Sequence, residues 1–509
     1  MAQSTSVEAE QKFDADASTP LPELHRIDGV GKVGEPATHQ LEAVYFDTQD
    51  LALAGRRITL RRRTGGPDAG WHLKLPHSPG KRTEIHAPLG QPETVPPDLM
   101  SRILAYTRGH AVSAVATLTT ERTSYQLYQS DGGRLAEFVD DHVHALVSLG
   151  DGHAHSWREW EVELAPGHDD AAGDKFLDAA AALLAKTGAN PSERTSKLAT
   201  AFGDLWPAAK GTGREMPQRK GPAVVPVLNY LDMQVARLLL QDAHVRLERE
   251  DSVHQMRSAT RRIRSVLHSY RKLFKPYPVA ELELGLKSLA KTLGRYRDAE
   301  VLHERLTKSL DELPGKLVLG PLKNQLDERM KVRKDTSLSA IHARLNSPRY
   351  FRLLDELEAF LEAPPVAPSV TPGARKATRK FVNKAAKRLA KRHDAAVGTA
   401  VGPARDKAFH DVRKAAKKLR FAAAAVESIH GKRAAKLSDA AHDVQRILGE
   451  HQDSAVARAE LLKLGSAADA GTAAFTYGLL HEAERAVAEA FEKEYLRSGK
   501  KARKLRLRK

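Results

Sequence analysis

The chain has 509 residues, a formal net charge of +17 and no cysteine. That length allows two to four domains with ordinary cores, and the absence of cysteine excludes a disulfide framework and a thiolate metal site. No apolar run is long enough to span a bilayer, and the N-terminus lacks a basic-then-apolar signal pattern, so the expectation is a cytoplasmic protein without a membrane partner.

The charge is uneven. Residues 1–206 hold 20 Lys and Arg against 29 Asp and Glu, whereas residues 207–509 hold 61 against 35. The second part is a polycation, suited to a polyanionic partner.

Taken in order, residues 1–206 read as β-rich. In VEAEQKF, Glu8, Glu10 and Lys12 alternate with Val7, Ala9, Gln11 and Phe13. HQLEAVYFDT is a second strand ending in a turn at Asp47 and Thr48. RRITLRRR places Arg57, Thr59, Arg61 and Arg63 opposite Ile58 and Leu60, and TGGPDAG is a hairpin turn. WHLKLP returns with His72 and Lys74 on one side and Trp71, Leu73 and Leu75 on the other; KRTEIHAPL carries Arg82 and Glu84. TERTSYQLY carries Arg122, and GRLAEFVDD ends in Asp140 and Asp141. WREWEVEL has Glu159, Glu161 and Glu163 on one face and Trp160, Val162 and Leu164 on the other. A helix over Asp174–Lys186 follows, and GANPSERTSKLATAF, with Arg194 and Lys197, closes the region.

Residues 207–224 are a linker rich in Gly, Pro and charge. From Val225 to about 495 the pattern is helical. In VHQMRSATRRIRSVLHSYRKLF, residues 253–274, His254, Arg257, Arg261, Arg264 and His268 share one face at steps of three and four, beside an apolar stripe of Val253, Met256, Thr260, Ile263 and Leu267. FHDVRKAAKKLRF, residues 409–421, repeats the order. Arg257/Arg413, Arg261/Lys417, Arg262/Lys418 and Arg264/Arg420 keep one offset, as do His254 and His410. LGRYRDAEVLHERL and LGEHQDSAVARAEL form a second matched pair, with Gly294/Gly449 and Asp298/Asp453 in register. Two blocks in the same order argue for a duplication, with halves of about 225–360 and 375–495 around a Pro-rich linker at 361–374. Residues 496–509 read as a frayed basic tail.

Several strand faces of one charge sign suit a closed antiparallel barrel with a charged lumen. Carboxylates there could hold a hard divalent cation, and arginines could clamp phosphate oxygens. A solvated, salt-bridged sheet surface explains any single strand equally well; the glutamate triad, glutamate pair and arginine rows together favour a site. His254 and His410 lie among arginines, which points to phosphate contact or helix packing over metal ligation.

VEAEQKF resembles the N-terminal ExExK signature of the CYTH domain, the triphosphate tunnel metalloenzyme superfamily, and YFDT, ITLRRR, WHLKLP, RTE, WEVEL and SERTSKLATAF follow in that family's order over residues 1–206. The resemblance implies a tunnel of about eight antiparallel strands that hydrolyses triphosphate-type substrates with Mg2+ or Mn2+. It implies metal ligands among Glu8, Glu10, Glu159, Glu161, Glu163 and Asp140, and Lys12 and Glu161 in catalysis. Phosphate holders would be Lys12, Arg57, Arg61, Arg63, Lys74, Arg82, Arg122, Arg194 and Lys197. Residues 225–495 resemble the CHAD domain through the two His-Arg helices and the two Leu-Gly blocks. That implies two pseudo-symmetric helical bundles with a basic groove for inorganic polyphosphate, formed by His254, Arg257, Arg261, Arg262, Arg264, His410, Arg413, Lys414, Lys417, Lys418 and Arg420.

The expected architecture is thus an α+β multidomain chain: a β tunnel, then an all-α domain. Two functions compete, a metal-dependent triphosphatase and a polyphosphate-binding or granule-associated protein whose tunnel only binds. Nucleic-acid binding ranks below both, because aromatics such as Tyr270 and Tyr296 form no obvious stacking platform.

Overall fold

The structure is a computed structural model that describes residues 4–78, 81–150, 152–168, 170–194, 196–209, 215–368, 373–467 and 472–508. It divides into two compact units, Met1–Thr212 and Gly213–Lys509.

The first unit is a curled antiparallel sheet. Its strands are β1 (Ser4–Ala15), β2 (Lys32–Val33), β3 (Ala37–Asp47), β4 (Thr59–Thr64), β5 (Gly70–Ser78), β6 (Lys81–Ala87), β7 (Ser113–Tyr128), β8 (Arg134–Val147), β9 (His153–Leu164) and β10 (Asn190–Pro191). Eight of them follow one another in a ring of pairings, β1–β6–β5–β4–β3–β7–β8–β9 and back to β1. Two-residue β2 and β10 attach to β7 and β1, which makes ten strands where about eight were expected.

Alternation decides which face is which. The apolar residues of β4–β6, including Leu60, Trp71, Leu73 and Ile85, pack under α1 (Pro97–Thr107) through Leu99 and Ile103. Phe13, Phe138, Trp160 and Val162 pack under α2 (Ala171–Lys186) through Phe176, Leu177 and Leu184. Helix α2 starts three residues before the expected Asp174 because the Asp170 side chain caps it, accepting from the Ala172 and Gly173 amides. With these apolar faces covered by helices, Lys12, Arg61, Arg63, Asp141, Glu159 and Glu161 are left on the concave side. At one end that side turns apolar: Leu198, Ala201 and Phe202 of α3 (Lys197–Phe202) join Ala43, Tyr45, Leu118, Val143 and Ala145. The YFDT turn is built by Asp47, whose buried carboxylate accepts from the amides of Thr48, Leu53 and Ala54 at 2.7–2.9 Å.

The second unit is all helical. Its first half holds α4 (Val224–Arg246), α5 (Ser252–Tyr270), α6 (Pro276–Asp311), α7 (Leu322–Leu345) and α8 (Pro348–Glu362). The second holds α9 (Ala374–Val397), α10 (Pro403–Ala424), α11 (Glu427–His430), α12 (Lys432–Ala467) and α13 (Thr472–Ser498). The halves share a core, in which Leu302, Leu306 and Met330 meet Leu461, Tyr477 and Leu480. Tyr270 donates its hydroxyl proton across to the Ala422 carbonyl at 2.6 Å. Among the described residues no helix is long and apolar enough to cross a membrane. The basic tail is not frayed: Leu507 is buried, and its backbone exchanges hydrogen bonds of 2.7 and 3.1 Å with the Asn383 side chain.

Candidate functional site

The concave face of the sheet gathers charge by register. On β1 and β9, Lys12 lies opposite Glu161 and Glu10 opposite Glu163; on β8 and β9, Asp141 lies opposite Glu159; on β7 and β8, Arg122 lies opposite Asp141. Three buried carboxylates therefore converge, Asp141, Glu159 and Glu161, with one oxygen from each within 4.8 Å of the others.

Like charges this close need cations. Lys197 places its ammonium 2.9 Å from Asp141 Oδ2, 2.8 Å from Glu159 Oε1 and 2.8 Å from Glu161 Oε1. Arg122 grips Asp141 with two N–H groups at 2.8 and 2.6 Å and reaches Glu161 at 3.1 Å. Lys12 pairs with Glu161 and lies 3.4 Å from Glu10. Burial opposes ionisation of Asp141, but Lys197 and Arg122 outweigh it and hold its carboxyl well below the usual range. Glu10 is held low in the same way, against burial, by Lys12, Lys74, Arg82 and Lys197. Glu163 goes the other way: burial and its neighbours Glu10, Glu84 and Glu137 raise it, against Lys74. Burial pushes Lys12 down to about 8, against the pull of Glu10.

Further along the concave face, Arg61 donates to the Tyr45 hydroxyl at 3.3 Å, Arg63 pairs with Asp68, and Lys74 lies 3.8 Å from Glu84. Arg61 and Arg122 are close enough to Arg63, which is itself buried, to weaken its hold on its proton. These positions can receive phosphate oxygens around the acid triad.

Not every expected residue joins. Asp140 lies on the other side of β8, where Arg158 grips it at 2.8 and 2.9 Å and Trp160 donates to it at 3.0 Å; Asp141 is the acid that meets Glu159 and Glu161. The parity was ambiguous in sequence. Phe138 shares a face with Asp140, but Val139 and Val143 share one with Asp141 and are equally buried. Arg57, at φ 60°, follows a turn; it donates to the carbonyls of Ala54 and Pro207 and stacks over Trp206. Arg194 donates to the carbonyls of Ala199 and Thr200 and braces α3. Arg82 lies close enough to Glu10 to lower its pKa. The Glu8 side chain lies outside the described residues; its backbone pairs with Arg82.

Hard, buried oxygen donors fit a divalent cation such as Mg2+ or Mn2+. One further observation supports the fit. Glu159 Oε1 is buried and receives no hydrogen bond from the described groups, although Lys197 stands at ion-pair distance.

In the helical unit, α5 packs against α10, and each lies against its long partner, α6 or α12. Arg257 lies over Gly294, and Arg413 lies over Gly449. A Cβ at either glycine would stand only 3.5 or 3.4 Å from the guanidinium. The matched glycines thus form shallow seats for the matched arginines. Arg257 meets Asp298 at 3.4 Å; burial, Arg257, Arg413 and Arg264 all weaken the hold of Arg261 on its proton. Buried Nδ1 of His254 and His410 and buried Nε of Arg257 and Arg413 have no hydrogen-bond partner among the described groups. Both histidines are depressed, first by burial and then by neighbouring cations, which favours their neutral form.

The remaining basic residues separate into flanks. Lys418 lies 3.4 Å from His268, with Arg264 and Arg388 close enough to depress it after burial. On the other flank, Arg262 and Arg420 lie over the Phe421 ring at 5.8 and 5.5 Å. Lys414 is exposed, 3.6 Å from the half-buried Asp411, and lies next to Arg413 and one turn before Lys417. Tyr270 is fully buried and cannot stack on a base.

A curled sheet with an acid triad ringed by cations, followed by a duplicated basic helical unit, defines a two-domain architecture. The chain belongs to the proteins that join a CYTH domain, matched over residues 7–191, to a CHAD domain, matched over residues 229–462. It is 40% identical over 494 residues to Mycobacterium tuberculosis (strain H37Rv) "Uncharacterized protein Rv2226", covering 95% of this chain and 94% of that protein. Among solved structures it is similar to PptA from Streptomyces chartreusis, with TM-score 0.46 and 21% identity over 55% of this chain and 99% of that one. It is also similar to the CHAD domain from the plant Ricinus communis, with TM-score 0.42 and 24% identity over 55% of this chain and 95% of that one.

Proposed function

We propose that the sheet unit is a metal-dependent hydrolase of inorganic triphosphate or polyphosphate and that the helical unit binds polyphosphate chains. The observation that carries the first half is the convergence of Asp141, Glu159 and Glu161 inside a ring of cations. Phosphoanhydride cleavage needs charge neutralisation on the transferring phosphoryl and a positioned water. Asp141, Glu159 and Glu161 would hold Mg2+ or Mn2+, which would supply Lewis acidity toward the phosphoryl oxygens. The chain's own groups do the rest. Arg61, Arg63, Lys74 and Arg122 hold non-bridging oxygens, Lys12 neutralises charge between Glu10 and Glu161, and Glu161 orients water toward phosphorus. With Lys12 pushed down to about 8, it is a cation at pH 7 and loses that charge above pH 8.

The second half rests on the matched Arg257 and Arg413, whose buried Nε atoms over Gly294 and Gly449 have no partner among the described groups. Such groups gain most from a polyanion that supplies oxygens. Binding without hydrolysis is the second reading, favoured by the ammonium of Lys197 standing amid the triad.

Phosphate release from tripolyphosphate by the full chain, with Mg2+ or Mn2+ and with chelator, tests the proposal. Metal-dependent release that disappears in chelator is expected. No release with either metal, while polyphosphate is still bound, establishes the binding reading instead.

A further inference from the structure

Lys197 is the least expected neighbour of the triad. Its ammonium is 2.8–2.9 Å from one oxygen of each of the three carboxylates, and the residue is 8% exposed. A divalent cation takes carboxylate oxygens at about 2.0–2.6 Å. It cannot share three oxygens with an ammonium that already stands 2.8 Å from them, because the two cations would overlap and repel. Backbone position does not yield easily: Ser196 caps α3 by accepting from the Ala199 amide, and Leu198, Ala201 and Phe202 are buried in the apolar cluster. The lysine stem does yield, since four carbons separate the charge from the backbone.

We propose that Lys197 is a resident counter-cation of the triad, displaced when a divalent cation binds and then available to hold the phosphate chain. The inference rests on the metal-site reading above. Metal and triphosphate then bind cooperatively, because the metal frees a cation for the substrate. In the metal-free protein the same ammonium holds the three carboxylates together.

The test is Mn2+ binding to the full-length protein without phosphate, followed by the loss of the free-ion EPR signal. Lys197→Met removes the competitor, and Mn2+ affinity is expected to rise about tenfold, the equivalent of about 1.4 kcal/mol. Lys197→Arg keeps the charge and is expected to bind Mn2+ no more tightly than the native chain. At saturating Mn2+, the KM for tripolyphosphate should rise about tenfold in Lys197→Met. A residue that merely supports the fold would lower metal affinity when removed. Unchanged or weaker Mn2+ binding by Lys197→Met, with native binding abolished by Glu161→Gln, overturns the displacement while leaving the metal site standing. Absence of Mn2+ binding in both native and Lys197→Met proteins, each with a native circular dichroism spectrum, overturns the metal reading itself.

Discussion

The two units handle charge in opposite ways. In the sheet unit each carboxylate of the triad has a cation beside it, and Lys197, Arg122 and Lys12 are themselves engaged. In the helical unit Arg257 and Arg413 stand together with Asp298 and Asp453 nearby, yet their Nε atoms are buried without partners among the described groups. A neutralised, buried site is suited to chemistry, because a few fixed charges there act at low dielectric on a short reacting segment. A groove with an excess of cations is suited to holding a polyanion, because its stabilisation comes from the ligand and from released counterions. The comparison predicts that damage to the sheet unit leaves polyphosphate binding intact and that damage to the helical unit leaves tripolyphosphate hydrolysis intact.

The largest effect expected is from Glu161→Ala, which removes a triad member that also meets Lys12, Lys197 and Arg122. Hydrolysis of tripolyphosphate should fall by about 10²–10³-fold, with polyphosphate affinity unchanged in a filter-retention assay. Equal loss of both would merge the two roles. Glu8→Ala tests the same unit from the β1 side and is expected to reduce hydrolysis in the same assay.

Next in size is the double substitution Arg257→Glu with Arg413→Glu. Two charge-assisted contacts at about 1.5–3 kcal/mol each predict at least about a hundredfold weaker polyphosphate binding. The native protein's affinity should also fall linearly on a log–log plot against salt, with a shallower slope in the double variant. A slope unaffected by the substitution would place the polyanion elsewhere.

Smaller again is Gly449→Leu. The added side chain displaces the Arg413 guanidinium from its seat, where even a Cβ would stand 3.4 Å away. Binding should weaken about tenfold, the equivalent of about 1.4 kcal/mol, while the helix gains propensity. Unchanged affinity would show that the seat does not position the arginine.

The smallest effect concerns pH. Burial, with Arg375, Arg379, Arg219 and Arg433, pushes His430 down to about 4, and its ring bonds to the Thr378 hydroxyl at 2.9 Å. Its folded pKa lies below the unfolded value of 6.5, so the unfolded chain binds the proton first as pH falls. Stability is therefore lost between pH 6.5 and about 4. Melting temperature should fall less over this range in His430→Gln than in the native chain. An identical fall in both would remove His430 from the acid response.

Much of this was legible in the sequence because the signals were periodic. Alternation in WREWEVEL and VEAEQKF put Glu161 and Lys12 on the concave face, and the repeated His-Arg blocks put Arg257 and Arg413 in equivalent places. What stayed hidden depended on neighbours. Asp141 could not be told from Asp140 without the β7 and β9 registers. Helix α3 has six residues, too few for periodicity, so the approach of Lys197 to the triad was invisible. Helix α1, with Leu99 and Ile103 on one face, went unread between the strands. Gly294 and Gly449 were visible as a match, but their use as arginine seats needs the crossing helix.

The most direct test of the division of labour is kcat/KM for tripolyphosphate and for long-chain polyphosphate, measured on the native chain and on the Arg257→Glu, Arg413→Glu variant. The account predicts that the variant keeps its value for tripolyphosphate and loses it for the long chain. Equal loss on both substrates, or no loss on either, would contradict it.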